Sequence, residues 1–358
     1  MSAVTEARLS VLLSQALVAW VVEADNTFEA RMPHVTSVYG PTAGQPPGPW
    51  LTSVAMWFGC LQHLDDDGIT VGELERRARG GTNLAGMQRW QYLTAEPEPV
   101  RHAFKPETML RPTAAGRAAR AVWAQVLPEV DARWADRFGA PGLQAVREEL
   151  GRLDGLVAVG LPDYLPILGP GLWNRVSRTE SLAEPPDDCL VSLLARPLLS
   201  LALEFEHSAP VSLAVAANLL RVLEPDRVPV RDLPTLTGVA FEGNTAALEV
   251  LERQGLVEVG AADGNRWKYT RLTAMGVRVR SSTDRLLGSV EASWQERFGT
   301  ADLRAGLERI VGDGSPTASP VADGLVPHPD GWRAGLKPAA TLPHFPLVLH
   351  RGGFPDGS

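Results

Sequence analysis

Cysteine is nearly missing from this chain. Cys60 and Cys189 are the only two among 358 residues, too few for a disulfide framework, which points to a reducing compartment. Aromatic residues make up only 6%, and no apolar run reaches the roughly 20 residues that a membrane-spanning helix needs. The apolar stretch LSVLLSQALVAWVV (9–22) has no basic leader and contains Ser and Gln, so it does not read as a secretory signal. A soluble, cytoplasmic protein with no membrane partner is expected. Positive charge is also short: 34 Lys and Arg face 42 Asp and Glu, a net of −8. That balance excludes a general polyanion-binding surface. Missing too are a phosphate-binding glycine loop, a Gly-x-Ser-x-Gly elbow and a His-Glu-x-x-His pair. His328, His344 and His350 lack the tight spacing of a metal site. The expectation is a protein that is not an enzyme and carries neither cofactor nor metal.

What the chain does contain is a repeat. RWADRFG at 133–139 returns as SWQERFG at 293–299, with Trp134 and Trp294 separated by 160 residues. Thr113 in RPTAAGRAAR and Thr273 in RLTAMGVRVR show the same separation of 160. Two independent signatures in one register indicate a duplicated unit. Further upstream, LVAWVVEADNTFE from Leu17 resembles LLSLALEFEHSAP from Leu198, 181 residues later, so the first copy carries extra residues. The candidate insertion is HVTSVYGPTAGQPPGPW (34–50). Units of about 150 residues are ordinary domain size. The expected division is a first lobe over 1–155, a packed Pro/Gly-rich connector over 156–189, a second lobe over 190–312 and an extended tail over 313–358.

Periodicity makes both lobes mainly helical. Leu9, Leu12, Leu13, Ala16, Leu17, Trp20 and Val21 follow helical spacing, predicting an amphipathic helix over 8–31. Trp50, Leu51, Val54, Trp57, Phe58, Leu61 and Leu64 predict a second. TVGELERRA begins a short third helix, with Thr70 as N-cap and Glu73 at the capping-box position. NLAGMQRWQYL follows as a fourth, and TAEPEPVRHAFKPETMLRP suits a β-hairpin. The next helix runs through RWADRF, with a kink expected at Pro128. The second lobe repeats the order: VPVRDLPTLTGV, NTAALEVLERQGLV, then the hairpin VEVGAADGNRWKYTRLT.

Helices, then a hairpin, then a long helix is the winged-helix plan. Here the sequence resembles the multiple-antibiotic-resistance regulator (MarR) family of winged-helix transcription factors. The residues that carry the likeness are Leu251-Glu252-Arg253-Gln254-Gly255-Leu256-Val257 and Arg271-Leu272-Thr273-Ala274-Met275-Gly276. The likeness covers roughly 8–155 and 190–312 and implies tandem winged helix-turn-helix lobes, mainly α with small β wings. Such regulators dimerise through their terminal helices and present two recognition helices to successive major grooves. Two copies in one chain would make that dimer internal, a monomer acting as a pseudo-dimer. The implied function is a DNA-binding, ligand-responsive transcriptional regulator whose partner is double-stranded DNA. The alternative is a winged-helix module for a protein or small ligand that has lost DNA binding.

Residues 73–111 carry seven basic and five acidic side chains, and 240–280 carry six and five, two positive islands in an acidic chain. In the first lobe the DNA-contact candidates are Arg76, Arg79, Thr82, Asn83 and Arg89, with Arg101 and Lys105 in the wing. In the second they are Asn244 and Thr245 at the recognition-helix start and Arg266 and Lys268 in the wing. Asn reads adenine and Thr touches a thymine methyl, but the arginine that reads guanine is lacking.

In the resembled family, small aromatic or anionic ligands lie between the dimerisation helices and the winged helix. Glu23 falls inside the apolar sector of the first helix, and Glu204 and His207 fall at the matching edge in the second lobe. A carboxylate on an apolar seam needs partners, for which Arg31, His34, His344, His350 and Arg351 are candidates. Glu23, His34, Glu204 and His207 are therefore ligand-site candidates, with structural ion pairs as the competing role. The tail has no period, yet Trp332, Leu342, Phe345, Leu347, Val348, Leu349 and Phe354 are too apolar for a disordered end. An extended strap across both lobes is expected.

Overall fold

A computed structural model describes residues 7–32, 34, 50–79, 83–166, 188–261, 268–329, 331–335 and 339–347. Among them the chain is mainly helical, with two small three-stranded antiparallel sheets. No helix among the described residues is long and apolar enough to cross a membrane. Cys60 and Cys189 are both free.

The first half begins with α1 (Leu9–Arg31) and α2 (Val54–Gly59), followed by a 3-10 turn at Leu61–His63. The expected second helix is thus broken at Cys60, whose backbone leaves the helical region. Strand β1 (Ile69–Thr70), α3 (Val71–Ala78), α4 (Leu84–Arg89), β2 (Leu93–Glu96) and β3 (Met109–Pro112) come next. The long helices α5 (Ala114–Phe138) and α6 (Ala140–Val157) end this half, and α5 runs through Pro128 without interruption.

Beyond the connector, α7 (Leu190–Glu206) is followed by α8 (Leu213–Val215), which runs into a π-helical segment at Ala216–Leu220. Strand β4 (Val228–Pro229), α9 (Leu233–Thr237), α10 (Phe241–Arg253), β5 (Val257–Ala261) and β6 (Lys268–Leu272) then lead to α11 (Ala274–Phe298) and α12 (Ala301–Val311). The sheets are ordered β1-β3-β2 and β4-β6-β5, so in each the last strand lies in the middle. Each hairpin closes at its helix-proximal end on an apolar pair, Leu93 with Pro112 and Val257 with Leu272.

The two long helices that leave the hairpins start at the same joint. Thr113 Oγ1 accepts the Gly116 N–H at 3.1 Å while donating to the Gln91 carbonyl at 2.6 Å. Thr273 Oγ1 accepts the Gly276 N–H at 3.0 Å and donates to the Gly255 carbonyl at 2.8 Å. The hydroxyl therefore caps the helix and ties it to the preceding turn. A Cβ on Gly116 or Gly276 would lie 2.1 or 2.0 Å from the carbonyl oxygen of Tyr92 or Leu256, so neither site has room for a side chain.

Helix α1 is buried nearly all round, including Ser10, Ser14, Gln15 and Asp25, rather than on one stripe. Helices α5, α7 and α12 and the turn at 322–325 surround it, which is why its polar residues also face protein. The main core joins α1, α5, α6, α7, α11 and α12, and a smaller core including Val211, Leu220, Leu233, Leu251 and Leu272 fills the 211–272 unit. Leu161, Tyr164 and Leu165, which follow α6, are buried. The tail is part of the same body, with Val321, Leu342, Phe345 and Leu347 in the main core. It is not extended throughout: short 3-10 turns occupy Ala322–Leu325 and Trp332–Gly335. Val348, Leu349, His350, Arg351 and Phe354 lie outside the described residues.

Candidate functional site

The repeated tryptophan signature is a carboxylate clamp. Glu23 on α1 accepts Arg133 Nε at 2.7 Å, Trp134 Nε1 at 3.0 Å and Arg137 Nη1 at 2.9 Å from α5. Burial alone would raise its pKa, but hydrogen bonds and charge from Arg137 and Arg133 outweigh it and the pKa is lowered. Glu204 on α7 accepts Trp294 Nε1 at 2.9 Å and Arg297 Nη1 at 3.1 Å from α11. Phe138 and Phe298 stand edge-on to Trp134 and Trp294, at 5.2 and 5.5 Å between centroids. Each helix stops at a positive-φ glycine, Gly139 or Gly299.

These contacts replace the partners expected for Glu23. Arg31 is paired with Glu129 at 2.6 Å, and His34 lies 3.7 Å from Glu29. His344 faces the second half of the chain, where its main-chain N–H donates to Asn218 Oδ1 at 2.9 Å. His350 and Arg351 lie outside the described residues. His207 is exposed at the end of α7. Glu23, His34, Glu204 and His207 thus belong to separate local contacts, and none of them lines either cavity described among these residues. The sequence placed both carboxylates on a seam but could not show that Arg133 and Arg137, one helical turn apart, reach back to Glu23 or that Arg297 reaches Glu204.

The DNA-contact candidates are also dispersed. Arg76 donates twice to Glu73, at 2.7 and 2.6 Å. Arg79 takes a left-handed backbone at the end of α3 and donates to the Leu161 carbonyl at 3.2 Å. Asn83 caps α4 by accepting the Gly86 N–H at 2.9 Å. Arg89 is exposed, with its guanidinium 5.5 Å from the Trp90 ring centre. Arg101 and Lys105 are exposed between β2 and β3, and Lys268 is exposed in β6. Thr82 and Arg266 lie outside the described residues.

Asn244 is a correction. It is 2% exposed and donates to the Val239 carbonyl at 2.8 Å while exchanging hydrogen bonds with Thr237. Helix α10 begins at Phe241, three residues before the expected start, and this turns Asn244 inward. Thr245 donates to the Phe241 carbonyl at 2.9 Å. The outward face of α10 carries Phe241, half exposed, with Glu242, Glu249 and Glu252. None of the three carboxylates forms an ion pair among the described residues.

A cavity lies elsewhere, at the N-terminal end of α1. Its volume is about 630 Å³, within the range of small-ligand sites. Leu12, Phe205 and Leu287 supply apolar wall, and Ala216 and Ala217 of the π-helical segment, a feature enriched at functional sites, supply another. Charge accounting singles out one residue. Arg8 is paired with Asp284 at 2.8 Å and Arg280 with Glu224 at 3.0 Å. Asp313 is exposed at the rim and accepts the Ser315 N–H. Arg221 instead donates to two main-chain carbonyls, Ala217 at 3.0 Å and Leu236 at 3.1 Å. Arg221 as a residue is exposed, but its guanidinium is partly desolvated, which lowers its pKa; a guanidinium still keeps its charge. His344, from the tail, is held down to about 4 by burial, with Arg221 and Arg8 adding to the effect, so its ring is neutral at pH 7. In the sequence Arg221 stands out as the single cation of the apolar run LAVAANLLRVL.

Comparison of the chain with protein-family profiles, curated proteins and solved structures finds no match.

Proposed function

We propose that this chain is a small-ligand-binding module built from two tandem winged-helix units, and that its ligand is an organic anion with an apolar body. The repeated element order, the matching strand orders and the twin Thr–Gly joints support the two-unit reading. One observation carries the ligand: the Arg221 guanidinium stands at a 630 Å³ partly apolar cavity with carbonyl oxygens, not a carboxylate, as its acceptors. A bound carboxylate would accept a charge-assisted pair of hydrogen bonds there, and neutral His344 would add a polar contact without competing charge. Calorimetric titration of an aryl carboxylate against its neutral amide tests this. The acid should bind at least tenfold more tightly, and Arg221→Ala should remove that preference. Equal binding of acid and amide, or none of either, would overturn the assignment.

A second reading keeps the DNA-binding regulator, with contact made by the first unit. Arg89, Arg101 and Lys105 are exposed there and form no ion pair among the described residues. The second unit supports it poorly, because three carboxylates on the face of α10 would repel phosphates.

A further inference from the structure

The two units differ most where the second is hollow. Helix α2 starts after Ser53 and α8 after Ser212, and sixteen residues beyond each serine a short strand begins, at Ile69 and at Val228. Those strands pair with Leu110 and Thr270, at matching places in the two sheets. In this register Trp57 matches Ala216, Phe58 matches Ala217 and Gln62 matches Arg221. A shared bond supports it: Gln62 Nε2 donates to the Phe58 carbonyl at 3.2 Å, as Arg221 Nε donates to that of Ala217 at 3.0 Å. On the long helices Trp123 matches Thr283, each ten residues beyond the capping threonine, Thr113 or Thr273.

At three matched places, then, a ring in the first unit becomes a small side chain in the second. All three small residues, Ala216, Ala217 and Thr283, line the 630 Å³ cavity. Their counterparts are taken up by the main core. Trp123 is fully buried, stacks on Phe28 with 4.5 Å between ring centres and donates its indole N–H to Thr52 Oγ1 at 2.9 Å. Phe58 is buried and stacked on Tyr164, and Trp57 packs against the same core. In the second unit Thr283 turns its hydroxyl back to the Val279 carbonyl at 2.9 Å, and Val211 stands where Thr52 accepts the indole N–H. Where a core position loses a large side chain, the surroundings close only in part and a cavity stays.

We propose that the chain has one ligand site rather than two, because the first unit keeps a permanent internal occupant, the Trp123 indole, in the place that the second unit leaves open. On the two-unit, ligand-binding reading given above, on which this rests, Ala216, Ala217 and Thr283 make the room for the ligand's apolar body. The cation that receives its anionic group, Arg221, is replaced in the first unit by the neutral Gln62. The first unit thus lacks both the space and that cation, and its fold is fixed in the filled form.

Calorimetric titration of the full chain with naphthoate, a fused two-ring carboxylate, should give one site per chain. Thr283→Phe returns a ring to the second unit without an indole N–H that Val211 could not accept. It should weaken naphthoate binding by about tenfold or more and raise the melting temperature of the unliganded protein, as cavity filling does. Trp123→Ala should open the first unit: it should bind one more uncharged indole per chain than the unaltered protein, as dry engineered cavities take up rings, and indole should recover part of its lost melting temperature. Should Trp123→Ala not fold, the site count and Thr283→Phe decide. Two naphthoates per unaltered chain, or a Thr283→Phe protein that melts lower, would overturn the internal occupant. No naphthoate bound by the unaltered chain would instead remove the ligand reading, and the melting change of Thr283→Phe, which needs no ligand, would still decide whether the second unit holds a vacant ring place.

Discussion

The indole N–H of Trp294 donates to the Glu204 carboxylate at 2.9 Å, binding the last turn of α11 to α7. Trp134 makes the equivalent bond to Glu23 at 3.0 Å, binding α5 to α1. The same device appears at two depths: the Glu23 side chain is 6% exposed and that of Glu204 38%. Depth sets the energetic difference. Glu23→Gln leaves Arg133 and Arg137 facing a neutral group in a buried site and should cost about 2–4 kcal/mol. Glu204→Gln, beside a half-exposed Arg297, should cost no more than about 1 kcal/mol. Urea denaturation of the two variants at pH 7 checks the order, and equal losses would show that depth does not govern the clamp.

Acid should erase the difference. The Glu23 pKa is lowered in the folded state, so its contribution is complete above the unfolded value of about 4.3 and is lost as pH falls through the folded value. The gap between the original chain and Glu23→Gln, followed from pH 7 to pH 3, should narrow below roughly pH 4. A gap that stays constant to pH 3 would assign the role of Glu23 to shape rather than charge.

How much of this could be read beforehand depended on how far apart the partners lie in the chain. Thr70 was readable as an N-cap because a cap bonds within three residues. Burial of Leu342, Phe345 and Leu347 was readable from the apolar content of a tail with no period. The clamp was half readable: the signature repeats in the sequence, but its carboxylate lies 111 residues from Trp134. The expected helix opened at Asn244, whereas α10 begins three residues earlier at Phe241. The cavity was not readable, since its walls run from Ala7 to His344 and only packing brings them together.

Asn218 offers a test of the tail. Its side chain donates to the Phe345 carbonyl at 2.7 Å and accepts the main-chain N–H groups of His344 and Phe345 at 2.9 and 3.2 Å. Ser14 donates to the Pro343 carbonyl at 2.9 Å on the opposite side, so the tail is held between the two halves of the chain. Asn218→Ala would remove a side-chain partner from three buried or part-buried main-chain groups and should cost about 2–4 kcal/mol. Truncation after Gly324 removes Leu342, Phe345 and Leu347 from the core as well, for roughly 5–8 kcal/mol in transfer terms. Differential scanning calorimetry should therefore rank the truncation below Asn218→Ala and both below the intact chain. Unchanged melting after truncation would show that the strap does not support the fold.

Asn244→Ala separates a structural role from base reading. With four hydrogen bonds inside the turn between α9 and α10, the amide is a brace. Its loss should destabilise the chain by about 1–3 kcal/mol. Any DNA the protein selects should be selected with unchanged preference at every position. A relaxed preference at one base pair, with stability intact, would return Asn244 to a base-reading role and require α10 to begin differently when bound.

The last expectation decides whether the first unit touches DNA at all. Arg89, Arg101 and Lys105 are exposed cations on that unit, whereas the α10 face of the second presents Glu242, Glu249 and Glu252. If the first unit binds, purified protein should enrich genomic fragments at low salt and release them steeply as salt rises. The logarithmic slope should flatten by roughly 0.9 for each phosphate contact removed, so Arg101→Ala and Lys105→Ala should each reduce it by about that amount. Lys268→Ala in the second unit should leave the slope unchanged. Charge reversal adds a sharper arm: Glu242→Lys with Glu249→Lys should strengthen binding if α10 lies near the duplex and do nothing if it points away. No enrichment at low salt from the unaltered chain would remove the DNA reading and leave the organic-anion pocket as the function to pursue. Enrichment with a slope insensitive to Arg101 and Lys105 would place the contact on a different surface of the first unit, beginning with Arg89.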